Sequence, residues 1–103
     1  MKLREIAHSR AGDKGDDSHV SLIVFDARHY ELIRTQVTAE RVRAHFGGLV
    51  GGAVERYELP RLDALNFVMR QALGGGVTRS LALDAHGKSR SSLLLEMEID
   101  PEG

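Results

Sequence analysis

The sequence predicts an α+β fold: a two-layer sandwich with a mostly antiparallel sheet of four to five strands and two main helical segments on one face. Two observations support this prediction. Stretches that alternate apolar and polar residues, typical of strands with one solvated face, are interleaved with stretches whose apolar residues recur every three or four positions, as in amphipathic helices. The chain has 103 residues, enough for one domain with a single core. We therefore treat 1–103 as one domain.

The first half of the chain is predicted to form two strands and then a helical segment. Residues 3–9 alternate imperfectly, and residues 19–25 are rich in β-branched and apolar side chains. Asp26 and then Thr38 can each cap a helix by accepting hydrogen bonds from backbone N–H groups. Gly47 can end the segment, because glycine adopts the left-handed cap conformation at little cost.

The second half is predicted to run strand, helix, strand and a final strand. Residues 53–59 alternate, and Pro60 fits the first turn of a helix, where its missing N–H is no loss. That helix would end at the glycines of 74–76, and 77–83 would form the next strand. The tail 93–99 is predicted as a strand, although its apolar spacing also suits a helix. The helix prediction depends on one apolar stripe: Leu62, Leu65, Met69, Ala72 and Leu73.

Composition excludes several classes of protein. The chain has no cysteine, which excludes disulfides, thiolate zinc sites and cysteine nucleophiles. Its net charge of −1 argues against a generic nucleic-acid binder, which would carry a basic surplus. No apolar run approaches the ~20 residues of a membrane span, and the first residues lack the apolar segment of a signal peptide. We expect a cytoplasmic protein that binds neither nucleic acid nor a membrane and holds no cofactor.

The main candidate site is 10–18, predicted as a nine-residue loop between two strands, whereas hairpin loops usually have about two to five residues. Gly12 and Gly15 permit a tight backbone that aims N–H groups at an anion, and Arg10 and Lys14 supply positive charge. Three interpretations stay open: an anionic ligand, a divalent cation held by the aspartates, or a charged loop closed by its own ion pairs. The candidate residues from this loop are Arg10, Gly12, Asp13, Lys14, Gly15, Asp16 and Ser18.

A second group of candidates follows in the second half. Asn66 is predicted on the apolar face of the helix, where a buried amide needs a hydrogen-bond partner. It either ties the helix to a neighbouring loop or fixes a ligand beneath the glycine run. Gly75 and Gly76 would let a ligand approach the backbone closely, and Arg79 could clamp a carboxylate or phosphate. The alternative is a plain loop. We expect these residues and 10–18 to form one shared pocket for an anionic small molecule.

Catalysis is left open. Five histidines are present, none with metal-ligand spacing, and no metal is expected. His8 and His19 stand at the two ends of the predicted loop, so a hairpin would bring them together and allow acid/base chemistry with Asp13 or Asp16. The serines lack a nucleophile-elbow context.

Four segments together resemble the AtuA-like ferredoxin-fold domain family: 7–18, 54–60, 65–68 and 74–81. The resemblance implies a ferredoxin-like sandwich and a setting in acyl-CoA or terpenoid and branched-acid catabolism. It carries over no catalytic residue. In the family such a domain follows a larger N-terminal domain, and we expect this chain to be the free-standing version. We therefore expect an accessory or binding module that acts with a larger AtuA-type subunit; the alternative is a small lyase, hydratase or isomerase using 10–18.

The predicted architecture also bears on assembly. A sheet covered by one helical layer leaves its edges and one face unprotected. We therefore expect a homo-oligomer.

Overall fold

The computed structural model describes residues 1–14, 17–70 and 89–103. Within them the chain forms a four-stranded antiparallel sheet in the order β1–β2–β4–β3, with helices packed on one face. The α+β class predicted from the sequence is therefore confirmed. The strands are β1 (Ala7–Lys14), β2 (Asp17–Val24), β3 (Val54–Leu59) and β4 (Ala64–Met69), and the helices are α1 (Tyr30–Gln36), α2 (Ala39–Phe46) and α3 (Ser89–Leu95).

The core lies between the helices and one face of the sheet. Every second residue of β2, from Ser18 to Val24, is buried, and the core takes the same alternate positions on β4, namely Leu65, Phe67 and Met69. The helices contribute fully buried side chains such as Ile33, Val37, Val42 and Leu94. Since successive strand residues point to opposite faces, the other residues of β2 and β4 lie on the side away from this core.

The helical segment after β2 begins and ends as the sequence predicts. The Asp26 carboxylate accepts from the backbone N–H of Arg28 at 2.9 Å, and the Thr38 hydroxyl accepts from the N–H of Arg41 at 3.1 Å. Both caps satisfy N–H groups that have no partner inside the helix. Gly47 ends α2 with a φ of +57°, a backbone conformation that side-chain-bearing residues rarely adopt.

The helix predicted to follow Pro60 is wrong over the described residues 60–70. Pro60–Leu62 forms only a single 3₁₀ turn, and β4 follows at Ala64. β4 is an inner strand that hydrogen-bonds to β2 and β3, and five of its six residues are buried. A strand buried on both faces shows an almost continuous apolar run, and in this chain that run also matches helical spacing.

Two further elements differ from their predictions. Strand pairing between β1 and β2 continues as far as Lys14 opposite Asp17, so the nine-residue loop is wrong and only two residues separate the strands. The tail is also not a strand, because α3 extends through Leu95 and only Glu98 forms an isolated bridge, with Lys2. The predicted strand 77–83 lies outside the described residues.

Candidate binding face

We call the side of the sheet opposite the core the far face. The strand registers align its residues in cross-strand rows, because directly paired residues share a face. An apolar row crosses all four strands through His8, Ile23, Ala64 and Leu59. Beside it a polar row crosses through Arg10, Ser21, Asn66 and Tyr57, and a third row through Gly12, His19, Val68 and Glu55.

The polar row contains one connected pair and one exposed cation. The Ser21 hydroxyl donates to Asn66 Oδ1 at 3.3 Å, which orients the amide on the inner strand. Arg10 is exposed on the edge strand β1, and among the described residues it has no hydrogen-bond or ion-pair partner. Its guanidinium is therefore available to an anion, and Asn66 is available to a polar group beside it.

An ion network occupies the end of the far face near the β1–β2 turn. Arg70 bridges Asp17 at 2.6 Å and Glu55 at 3.1 Å, and the Tyr57 hydroxyl donates to Glu55 Oε1 at 2.8 Å. The bonds from Tyr57 and Arg70 lower the pKa of the Glu55 carboxyl, and the bond to Glu55 raises the pKa of Tyr57. These charged groups are paired with one another, so we do not place the ligand at this end of the face.

The opposite end of the face exposes apolar side chains. Phe25 is 67% exposed and Leu62 is 65% exposed, and Leu59 and Tyr57 are also exposed. The Phe25 ring stacks on His8, with centroids 5.4 Å apart and planes 19° apart. We call Phe25, Ile23, Leu59 and Leu62 the apolar patch. Clustered exposed apolar groups of this kind are typical of interaction sites.

By strand register the structure brings four of the predicted site residues to one face. Arg10 and Asn66 lie in the same polar row, Gly12 lies in the next, and Lys14 pairs with Asp17 in the row after that. Asn66 lies on a strand instead of the predicted helix. Ser18 lies on the core side, is 0% exposed and has no hydrogen-bond partner for its hydroxyl among the described residues, so it does not join them.

The other predicted site residues are described in part or not at all. Asp13 pairs with Ser18 in the strand register, on the core side of the sheet. The remaining candidates are outside the described residues, so their convergence with Arg10 and Asn66 stays a prediction: Gly15, Asp16, Gly75, Gly76 and Arg79.

The two histidines are not adjacent. His8 pairs with Ile23, while His19 lies four residues before Ile23 on the same strand, roughly 13 Å along it at the usual rise per residue. A direct His8–His19 acid/base pair is therefore wrong. Among the residues with described positions, no three histidine, aspartate or glutamate side chains are grouped as a metal site requires.

Sequence reasoning missed much of the far face. Ser21 and Arg70 are not predicted from the sequence, and Tyr57 and the exposed Phe25 are not predicted as site residues. Strict alternation along 19–25 and 53–59 was the available signal, because it places every second residue on the face opposite the core. Alternation could not place Arg70 on the far face, because its position there depends on β4, which the sequence predicts as a helix.

Comparison with known proteins identifies the protein family. The family model of the AtuA ferredoxin-like domain matches residues 1–100, essentially the whole chain. The antiparallel sheet with helices on one face agrees with a ferredoxin-like domain. The chain belongs to the AtuA ferredoxin-like domain family. No curated protein and no solved structure matches it. None of the helices in the described part of the chain is long and apolar enough to cross a membrane.

Proposed function

We propose that this domain is an accessory binding module that acts with a larger AtuA-type partner and contacts it through the far face. One observation supports this most strongly. Among the described residues, the exposed large apolar side chains all lie on the far face or in the turn next to it: Phe25, Tyr57, Leu59 and Leu62. Isolated exposed apolar residues are ordinary, but a group on one face is the usual mark of a contact surface.

The same face supports a binding role better than a catalytic one. In the described part of the chain the His8–His19 acid/base pair predicted from the sequence does not form, and Ser18 is buried on the core side. The far face instead offers apolar area next to hydrogen-bonding groups and the exposed guanidinium of Arg10, which is the composition of a recognition surface.

The pathway and the ligand are further parts of the proposal. Membership of the AtuA family suggests a setting in acyl-CoA or in terpenoid and branched-acid catabolism. An anionic small molecule carried by the larger partner would meet Arg10 and Asn66, the two predicted site residues that share a row. A planar guanidinium beside an amide suits a carboxylate.

Affinity purification of the chromosomally tagged protein tests the proposal. We expect a larger chain of the AtuA type to be recovered with it in a defined ratio, and we expect the domain alone to turn over no acyl-CoA or carboxylate substrate. Recovery without any such chain, together with turnover by the purified domain, would overturn the accessory role.

A further inference from the structure

We propose that the far face holds a carboxylate over Gly12, between the side chains of Arg10 and His19. This inference rests on the function proposed above, and it adds His19 and Gly12 to the contacts of the ligand. Two observations carry it. Neither Arg10 nor His19 has a hydrogen-bond or ion-pair partner among the described residues, and Gly12, which lies beside both in the strand register, has no side chain to fill the space between them.

Four residues of β1 and β2 form a square around the proposed ligand. Arg10 pairs with Ser21, and in the next row Gly12 pairs with His19. Directly paired residues have Cβ atoms about 5 Å apart, and diagonal neighbours about 7–8 Å apart remain within reach of long and aromatic side chains. Arg10 and His19 are diagonal neighbours, so a guanidinium and an imidazole can contact one small anion from two sides.

Gly12 leaves room for the anion. It is exposed, and a methyl group built on it would meet no other atom within 4 Å. The other small side chain of the square, Ser21, donates to Asn66 at 3.3 Å and so is already engaged away from this space. The space over Gly12 is therefore open to a ligand.

The charges near the square favour an anion. Arg10 is exposed and carries a permanent positive charge. Asp17, in the next row, and Glu55, two strands away from β2, are both bonded to Arg70, at 2.6 and 3.1 Å. These carboxylates are therefore neutralised by a different arginine, and the charge of Arg10 is left for a ligand.

Two carboxylates near the far face have no ion pair among the described side chains, and both lie at the end that carries the apolar patch. Glu5 is in the 3₁₀ turn before β1, more than roughly 10 Å from Arg10 at the usual rise along a strand, and it accepts from the backbone N–H of Lys2. Asp63 ends the turn between β3 and β4. Neither is bonded to Arg10.

A singly charged carboxylate fits the square better than a phosphate does. The planar guanidinium of Arg10 matches the two oxygens of a carboxylate, and the next lysine, Lys14, is two rows away. On the other side of the polar row, Ile23 follows Ser21 on the same face of β2 and can contact an apolar group attached to the carboxylate. The proposed ligand class is therefore a small carboxylic acid with an apolar substituent.

NMR titration of the ¹⁵N-labelled full chain tests the site with two probes of the same shape. Isobutyrate carries a carboxylate, and isobutyramide has a neutral amide in its place. Each is added to about 50 mM at matched ionic strength, a range that detects millimolar binding. We expect isobutyrate to bind at least about fivefold more tightly than isobutyramide and to shift the backbone amides of 10–12 and 19–21 most. Inorganic phosphate, the third probe, should bind more weakly than isobutyrate.

Variants at the three positions test the contacts. Arg10→Gln removes the charge and His19→Leu removes the ring donor, so each should weaken isobutyrate about fivefold; His19→Gln keeps an N–H donor and should retain most of the affinity. Gly12→Val fills the open space and should abolish binding, while its melting temperature does not fall, because valine suits a strand. Arg61→Gln, the same change at an exposed arginine in the turn after β3, is the matched control and should leave binding unchanged.

Several results would overturn the site. Equal binding of isobutyrate and isobutyramide, or binding of neither, would contradict a carboxylate site on this face. Isobutyrate binding that Gly12→Val leaves intact would reject the location over Gly12, and tighter binding of phosphate would reject the carboxylate class. An equal loss in Arg61→Gln would reduce the effect to the net charge of the protein.

Co-purification of the tagged protein separates this inference from the accessory role, because the titration uses the domain alone. Recovery of the AtuA-type chain together with selective isobutyrate binding supports both. Recovery of that chain without isobutyrate binding rejects the site and leaves the accessory role standing. Isobutyrate binding without recovery of the chain supports the site and rejects the accessory role.

Discussion

At the scale of single residues, charged side chains hold this fold together by bonding to the backbone as well as to each other. Arg41 donates to the carbonyls of Gln36 and Glu98, and Arg56 donates to carbonyls at the end of α1. A helix end leaves such carbonyls without partners inside the helix. Arginine, with five donors in a planar group, can satisfy several of them at once.

Arg56 is predicted to be a stabilising residue. Its side chain is 19% exposed, and one guanidinium nitrogen donates to the carbonyls of Arg34 at 2.7 Å and Val37 at 3.0 Å. We expect Arg56→Met to lower the free energy of unfolding by about 1–3 kcal/mol, because both carbonyls lose a charged donor. Urea denaturation measures this. Arg28→Met, at an 85% exposed side chain whose one ion pair is with Asp26, is the comparison variant and should lower the free energy of unfolding by less than Arg56→Met does.

Asp26 is predicted to make stability depend on pH. The hydrogen bond from the Arg28 side chain, with a second from its backbone, lowers the pKa of Asp26 from 3.8 to about 2. A lowered pKa means that the ionised carboxylate stabilises the fold above about pH 4, and that this contribution is lost as the pH falls toward 2. The difference in melting temperature between wild type and Asp26→Asn should therefore shrink between about pH 5 and pH 2.

The Asp26 prediction has an independent check. In Arg28→Gln the pKa of the Asp26 carboxyl, followed by NMR, should rise toward its ordinary value of 3.8. An unchanged pKa in this variant would contradict the assigned cause.

At the scale of elements, short-range sequence signals predict where the helices of the first half begin and end, but they do not predict the strand that follows Pro60. Caps at Asp26 and Thr38 are short-range chemistry, so the sequence predicts them directly. The identity of β4 depends instead on β2 and β3, which pair with it on both sides. The strands flanking the charged segment 10–18 were likewise too short in the prediction, because backbone pairing continues through polar residues.

Gly47 is predicted to be required at the end of α2. Its φ of +57° with ψ of −129° is a backbone conformation almost restricted to glycine. We expect Gly47→Ala to lower the free energy of unfolding by about 1–3 kcal/mol. At the neighbouring Gly48 the φ is not positive and an alanine methyl group would meet open space, so Gly48→Ala should stay within about 0.5 kcal/mol of wild type. Equal effects of the two substitutions in thermal unfolding would contradict this.

At the scale of the whole molecule, the two ends of the chain close the core together. The N–H of Leu3 donates to the carbonyl of Met97 at 3.0 Å, and the N–H of Ile99 donates to that of Met1 at 2.8 Å. Glu96 pairs with both Lys2 and Arg4. The C-terminal residues are therefore part of the fold.

Met97 is predicted to be a core residue despite its position near the C-terminus. It is 3% exposed and packs in the same cluster as Leu3 and Leu94. We expect Met97→Ala to cost about 2–5 kcal/mol, as for other buried large-to-small changes. Glu102→Ala, in the exposed end, is the control and should have no measurable effect on denaturation.

Self-association stays a prediction for the whole molecule. β1 and β3 are the edges of the described sheet, and edge strands leave backbone groups free to pair with another chain. We expect light scattering to give a mass of at least two chains at high micromolar concentration. A monomer under these conditions would contradict the prediction.

The sequence by itself determined the α+β class, the caps at Asp26 and Thr38, the glycine end of α2 and the family, because these follow from short-range chemistry and from matching segments. Only the tertiary structure decided that β4 is an inner strand and that α3 is a helix, since apolar spacing in a buried segment can fit both periodicities. It also decided which candidates share a surface. Arg10 and Asn66 are far apart in sequence, and only the pairing of β1, β2 and β4 places them in one row.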